Sequence, residues 1–195
     1  MQTLNSLALA VGMSNASAAG AALLADVRAR SYALTVGAVG QKFVLGALSG
    51  LGAPGHDAAL AMVLNTRTPG WGWWASRNAT TCWEKWQDAP GLTTYNHIWF
   101  CGGLGEWFYK IMAGIQFRFD PTPALTVAPH VSMLATSPSA LDARWHSPLG
   151  LITVQWLRAN ATVPMTLDVL VPVNLNTTVH LPLLCASAAS DVRTY

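Results

Sequence analysis

Residues Gly103-Leu-Gly-Glu-Trp-Phe-Tyr-Lys-Ile-Met-Ala-Gly114 decide how the chain is organised, because the hydrophobic period changes across them. Before Gly114 the apolar residues recur at helical intervals. Leu104, Trp107, Phe108, Ile111 and Met112 share a stripe, which predicts a helix over about 103–113 that buries them. Beyond Gly114 the period is two. Leu125-Thr-Val-Ala-Pro129, Leu141-Asp-Ala-Arg-Trp145, Leu151-Ile-Thr-Val-Gln-Trp156, Met165-Thr-Leu-Asp-Val-Leu-Val171 and Thr178-Val-His-Leu-Pro-Leu183 read as strands. Turn residues separate them, at Ser137-Pro138, Ser147-Pro-Leu-Gly150, Asn160 and Asn174-Leu-Asn176. Consecutive strands with short turns imply an antiparallel β-sandwich.

Upstream of this segment the chain is helical. Leu4, Leu7, Ala8 and Val11 share one face. Leu23, Leu24 and Val27 form a second stripe, Val44, Ala47, Leu48 and Leu51 a third, and Leu60, Val63 and Leu64 a fourth. The links are short and carry Gly, Pro or Asn, so neighbouring helices run antiparallel as a series of αα-hairpins. Residues 7–25 are apolar and small enough to suggest a secretory leader, but the first charge is Asp26 and a basic n-region is missing. Two helices joined near Asn15 is the reading we adopt. Helices followed by strands in separate blocks predict two domains with a boundary near 116–121.

Composition narrows the partners. Eleven basic and nine acidic residues give a net charge of +2 without a Lys/Arg cluster, so nucleic acid has no electrostatic footprint. No uncharged apolar run reaches ~18 residues, so no membrane span is expected. Charged residues are 10% of the chain, against about 25% in ordinary domains, while Trp occurs nine times. Either the surface is unusually apolar, or part of it packs against protein outside these residues.

The segment from Thr68 to Asn96 reads as irregular and carries Trp71, Trp73, Trp74, Trp83 and Trp86. So long a loop in a compact domain is usually functional. Within it, Thr80-Thr-Cys-Trp-Glu-Lys-Trp86 sets Glu84 between two indoles. Desolvation there would raise the carboxyl pKa and suit it to proton transfer; the alternative is a surface pair with Lys85 or Arg77. His97 closes the loop, either as a helix-entry hydrogen-bonding residue or as a ligand contact. Glu106 is placed to pair with Lys110 at i+4. Cys82, Cys101 and Cys185 are an odd count without metal spacing and read as structural thiols. Sequons occur at Asn15, Asn78, Asn160 and Asn176, but the secretory route they require is not visible in the sequence. The chain has no nucleophile elbow, phosphate loop or His-Glu-x-x-His, and the five His are scattered, so no cofactor or metal is implied.

Eight segments, in order, carry a resemblance. They are Gln2-Thr3 with Leu7-Ala-Leu-Ala10, Thr35-Val-Gly-Ala-Val-Gly-Gln-Lys-Phe-Val-Leu45, Thr68-Pro-Gly-Trp-Gly-Trp-Trp74, Thr80–Trp86, Thr94-Tyr-Asn-His-Ile-Trp-Phe100, Gly103–Ile115, Arg144-Trp-His-Ser-Pro-Leu-Gly-Leu-Ile152 and Val171-Pro-Val-Asn-Leu-Asn-Thr-Thr-Val-His-Leu-Pro182. Together they resemble the C-terminal portion of bacterial and fungal α-L-rhamnosidases and cover nearly the whole chain. The resemblance implies a partial (α/α)6 six-hairpin glycosidase barrel over residues 1–116 and a C-terminal β-sandwich domain over 117–195. It implies inverting hydrolysis of terminal α-L-rhamnosyl residues, with a rhamnosylated glycoside or polysaccharide as substrate. Glu84 matches the general base. His97, with Asn96, matches the sugar-contacting positions, and Trp73 or Trp74 would line the sugar site.

The chain also departs from the family. The family's general acid lies in an acidic segment far upstream. Only Asp26 and Asp57 precede Glu84 here, and neither has that context. Fewer than half of six hairpins are present, and the stretch between Glu84 and His97 is several residues shorter than usual. Cys82 and Cys101 replace more ordinary residues. An N-terminal barrel half outside these residues is therefore expected, and the isolated chain should show negligible turnover and a tendency to aggregate. The alternative is a catalytically incomplete, non-enzymatic remnant or a carbohydrate-binding module.

Overall fold

Two helices with a short link open the chain, α1 over Gln2–Ala10 and α2 over Ala16–Ala29. A second pair follows, α3 over Ala38–Ser49 and α4 over Ala53–Leu64. Pro54, in the first turn of α4, costs no backbone donor that the helix could use. The computed structural model describes residues 1–195 apart from 14, 87–93, 120–121, 133–136, 159–164 and 182–195. Asp88, Asp120, Cys185, Asp191, the sequon at Asn160 and the end of the expected strand Thr178–Leu183 lie outside the described residues. Two compact units result, Met1–Trp107 and Phe108–Tyr195. This packing break precedes the change of hydrophobic period.

In the helical unit α3 lies between α1 and α6 (Trp99–Trp107), while α2 packs on α1 and α4 on α3. Alternate helices therefore form one layer and the intervening ones a second, the arrangement of stacked αα-hairpins. Contact between α3 and α6 is close because Gly103 has no side chain. A Cβ there would come within 2.7 Å of the Gln41 carbonyl oxygen. Leu23, Val27, Val44, Leu45, Leu48, Leu60 and Met62 fill the core between the layers.

Helix α1 departs from its hydrophobic pattern. It buries Gln2 and Ser6 and leaves Leu4 69% and Val11 64% exposed. The stripe correctly groups Leu4, Leu7 and Val11 on one face, but that face is not the one turned to α3. Gln2 is satisfied inside: its Nε2 donates to the Ala33 carbonyl (3.0 Å) and its Oε1 accepts from the Thr35 amide (2.8 Å). The segment read as irregular contains a short helix, α5, over Trp71–Ser76.

The second unit opens with a π-helical turn, Phe108–Met112, closed by the Ala113 amide donating to the Phe108 carbonyl at 2.9 Å. The wider turn shifts the register, so Phe108, expected inside, is 41% exposed while Met112 is buried. Gly114 then adopts φ +73°, and a Cβ there would run into the Ala128–Pro129 backbone. Among the described residues six strands follow: β1 (Ile115–Arg118), β2 (Ala124–Val127), β3 (Ala140–Ser147), β4 (Gly150–Leu157), β5 (Thr166–Leu170) and β6 (Asn176–Val179). They form two three-stranded sheets, β1-β2-β6 and β3-β4-β5. Every pairing is antiparallel except β2 with β6, which runs parallel with Ala124 opposite Asn176. The inner faces meet in a core of Ile115, Leu125, Val127, Ile152, Val154 and Leu175. The Trp156 indole N–H donates to the Met112 carbonyl (3.1 Å). Among the described residues no helix is long and apolar enough to cross a membrane.

Candidate active site

The aromatic stretch is half core and half surface. Trp71, Trp74, Trp86 and Phe100 are buried together. The Trp74 and Trp86 rings stack 4.6 Å apart, and Trp71 and Phe100 meet Trp86 edge-on. Two of these indoles fasten loops by their N–H groups, Trp71 to the Phe100 carbonyl and Trp86 to the Val36 carbonyl, each at 2.7 Å. Trp74 is 4% exposed and its ring is stacked against Trp86, so it has little surface for a ligand. Of the two Trp considered for lining a sugar site, Trp73 keeps the accessible surface. It is half-buried, meets Trp83 edge-on, and carries the Arg77 guanidinium 5.7 Å from its ring centroid, a cation–π contact. Arg77 is thus over an indole and not paired with Glu84.

Two limbs of chain bring the remaining candidates together. The Glu84 amide donates to the Thr94 carbonyl (3.0 Å), and the His97 amide to the Cys82 carbonyl (2.6 Å). The Thr81 hydroxyl donates to the Tyr95 carbonyl. Residues 81–84 and 94–97 therefore lie side by side, with Glu84 on one limb and Asn96 and His97 on the other. Trp83 fixes the first limb by packing edge-on against both Trp73 and Tyr95. His97 enters α6, its carbonyl accepting the Phe100 amide at 3.1 Å, and its ring meets Phe100 edge-on. The Nδ1 of His97 and the Nε1 of Trp74 have no hydrogen-bond partner among the described residues.

Glu84 is exposed, so the desolvation expected from its flanking indoles is not found: Trp86 turns into the core, and Trp83 turns towards Trp73 and Tyr95. One carboxylate oxygen, Oε2, accepts the Thr94 amide at 3.2 Å. The other takes no partner among the described residues and can accept a proton from water. Asp26 is paired with Arg30, and Glu106 with Lys42 of α3. Cys82 and Cys101, read as thiols, are joined in a disulfide with Cα atoms 6.0 Å apart. An odd cysteine count and a separation of 19 residues hide such a pair from sequence reasoning.

These features define a helical-hairpin unit carrying a carboxylate, an imidazole and indoles on one loop, a composition suited to carbohydrate. The chain belongs to the bacterial α-L-rhamnosidase family: residues 1–112 match the model of its six-hairpin glycosidase domain, and residues 116–195 match that of its C-terminal domain. An α-L-rhamnosidase of Streptomyces avermitilis is 28% identical over 169 residues, which are 82% of this chain and 16% of that protein. The structure of an α-L-rhamnosidase from Dictyoglumus thermophilum superposes with a TM-score of 0.82 at 27% identity, covering 95% of this chain and 21% of that one. The S. avermitilis enzyme crystallised with L-rhamnose gives a TM-score of 0.82 at 23% identity over 93% of this chain and 18% of its own, a likeness of fold. The chain thus spans about a sixth to a fifth of the length of these relatives.

Proposed function

We propose that the chain supplies the general-base side of an inverting α-L-rhamnosidase site, and that hydrolysis needs further barrel hairpins carrying the general acid. The paired limbs carry this reading, because they place Glu84 and His97 on one loop beside Trp73. In such a mechanism Glu84 takes a proton from water as that water attacks the anomeric carbon. An acid on the opposite face, roughly 6.5–9.5 Å away, protonates the departing oxygen. His97, half-buried at the entry to α6, contacts a sugar hydroxyl through its imidazole. Asn96 lies beside it, and the Trp73 indole offers an apolar surface to the C–H face of the ring. The names of the relatives support a terminal rhamnosyl group as substrate.

The exposed apolar face of α1 supports the need for more barrel. Leu4, Leu7 and Val11 lie on the edge helix of the layer, where a preceding hairpin would cover them. The test is Glu84→Gln in a protein that includes the whole barrel. Turnover of an aryl α-L-rhamnoside should fall about 10²–10⁴-fold, with KM changed less than about threefold on the logic that the amide preserves ground-state contacts. Near-normal turnover would refute the base assignment. His97→Ala should instead weaken inhibition by free L-rhamnose, and unchanged inhibition would remove His97 from the sugar site.

A further inference from the structure

The loop that carries Glu84 is held from two sides. Towards α5, Trp83 packs against Trp73 and Trp74, and Trp86 stacks on Trp74. Towards α6, Trp86 meets Phe100 edge-on, and a covalent tie is made at Cys82. Its carbonyl accepts the His97 amide, and its sulfur is bonded to Cys101 in the first turn of α6. The other bonds of this limb, from Glu84 to Thr94 and from Thr81 to Tyr95, run to the neighbouring limb and not to the helix. The candidate site residues divide in the same way, with Trp73 on the α5 side, His97 on the α6 side and Glu84 between them.

We propose that the Cys82–Cys101 disulfide is a positioning pair that fixes the Glu84 carboxylate relative to the His97 imidazole. Its place in the loop, two residues before Glu84 and four after His97, fits this role better than that of a general staple. Helices α1 to α4 carry their own buried core without it. Reduction should therefore loosen the loop and leave the hairpins folded. The loop's role in sugar binding rests on the proposed function; the disulfide's hold on the loop does not.

The test uses the 195-residue chain with Cys185→Ser, so that the third thiol cannot exchange. Non-reducing peptide mapping should recover Cys82 linked to Cys101; free thiols at both positions would overturn the proposal. Dithiothreitol then reduces the bond, giving two thiols while it closes to its own cyclic disulfide. Amide hydrogen exchange is followed before and after, and in Cys82→Ser/Cys101→Ser. The Glu84 and His97 amides should exchange at least tenfold faster once the bond is lost, with Leu45 and Leu48 in α3 unchanged. Unchanged protection at Glu84 and His97, or equal acceleration in α3, would overturn the proposal. Titration with L-rhamnose of a protein that includes the whole barrel, in its oxidised and reduced states, separates the two readings. Binding by the oxidised protein that weakens at least tenfold on reduction supports both, and equal binding in the two states overturns the positioning role. If neither state binds, the sugar-site reading fails, and hydrogen exchange alone decides the role of the disulfide.

Discussion

Gln2 shows how much one buried polar side chain can matter. It is 0% exposed, and both ends of its amide are used, on the Ala33 carbonyl and the Thr35 amide. Gln2→Ala removes both partners at once and leaves two backbone groups to find others in a dry site. The expected cost is about 2–3 kcal/mol, seen as a lower unfolding midpoint of the helical unit; an unchanged midpoint would mean that water replaces the amide. The hydrophobic stripe of α1 gave no hint of this, because a period shows which residues share a face and not which face meets the core. The proximity of the candidate site residues was more legible. Glu84, Asn96 and His97 stand out by motif order, and the limbs bring them onto adjacent strands of chain. What could not be read was Glu84's exposure, since adjacent Trp residues in sequence need not turn towards the side chain between them. The disulfide was equally hidden, because covalent pairing depends on how the chain folds back and not on spacing.

Single elements differ in how openly the sequence displays them. Strands β3 and β4 alternate cleanly and pair from Ala140–Leu157 to Ser147–Gly150. A six-residue helix such as α5 gives fewer than two turns, too few to reveal a period among five clustered Trp. Strand β1 was masked by its position at the change of period. On β3, Asp142 and Arg144 project from the same exposed face two residues apart and form a bidentate pair at 3.0 and 3.2 Å. The Arg144 hydrogen bond, aided by Gln155, holds the Asp142 carboxyl below its ordinary value of 3.8. Because the folded value is the lower one, the pair's contribution is complete above the unfolded value and is lost as pH falls through the folded one. Both side chains are in solvent, so the effect on stability is small. A carboxyl-carbon NMR titration of Arg144→Met should show the Asp142 midpoint move up towards the ordinary value; an unmoved midpoint would refute the pairing.

At the scale of the whole molecule, the division into a helical block and a strand block was plain from the change of period near Gly114. The family's two domain models match on either side of it. The apolar excess noted in the composition has a location, in part, on α1, where Leu4, Leu7 and Val11 face outward. The isolated chain should therefore self-associate as its concentration rises. Leu4→Glu/Val11→Glu should return it towards a monomer in sedimentation velocity, with helix content unchanged. Persistent association in that variant would place the sticky surface elsewhere. The parallel pairing of β6 with β2 has a different consequence. Its two strands are separated by about 50 residues of chain, which carry the three strands of the other sheet. During synthesis β2 leaves the ribosome early and waits with one edge open until β6 is made. The strand unit is thus completed late, and a pause in translation before Asn176 would hold it in the state most prone to pair with the wrong chain.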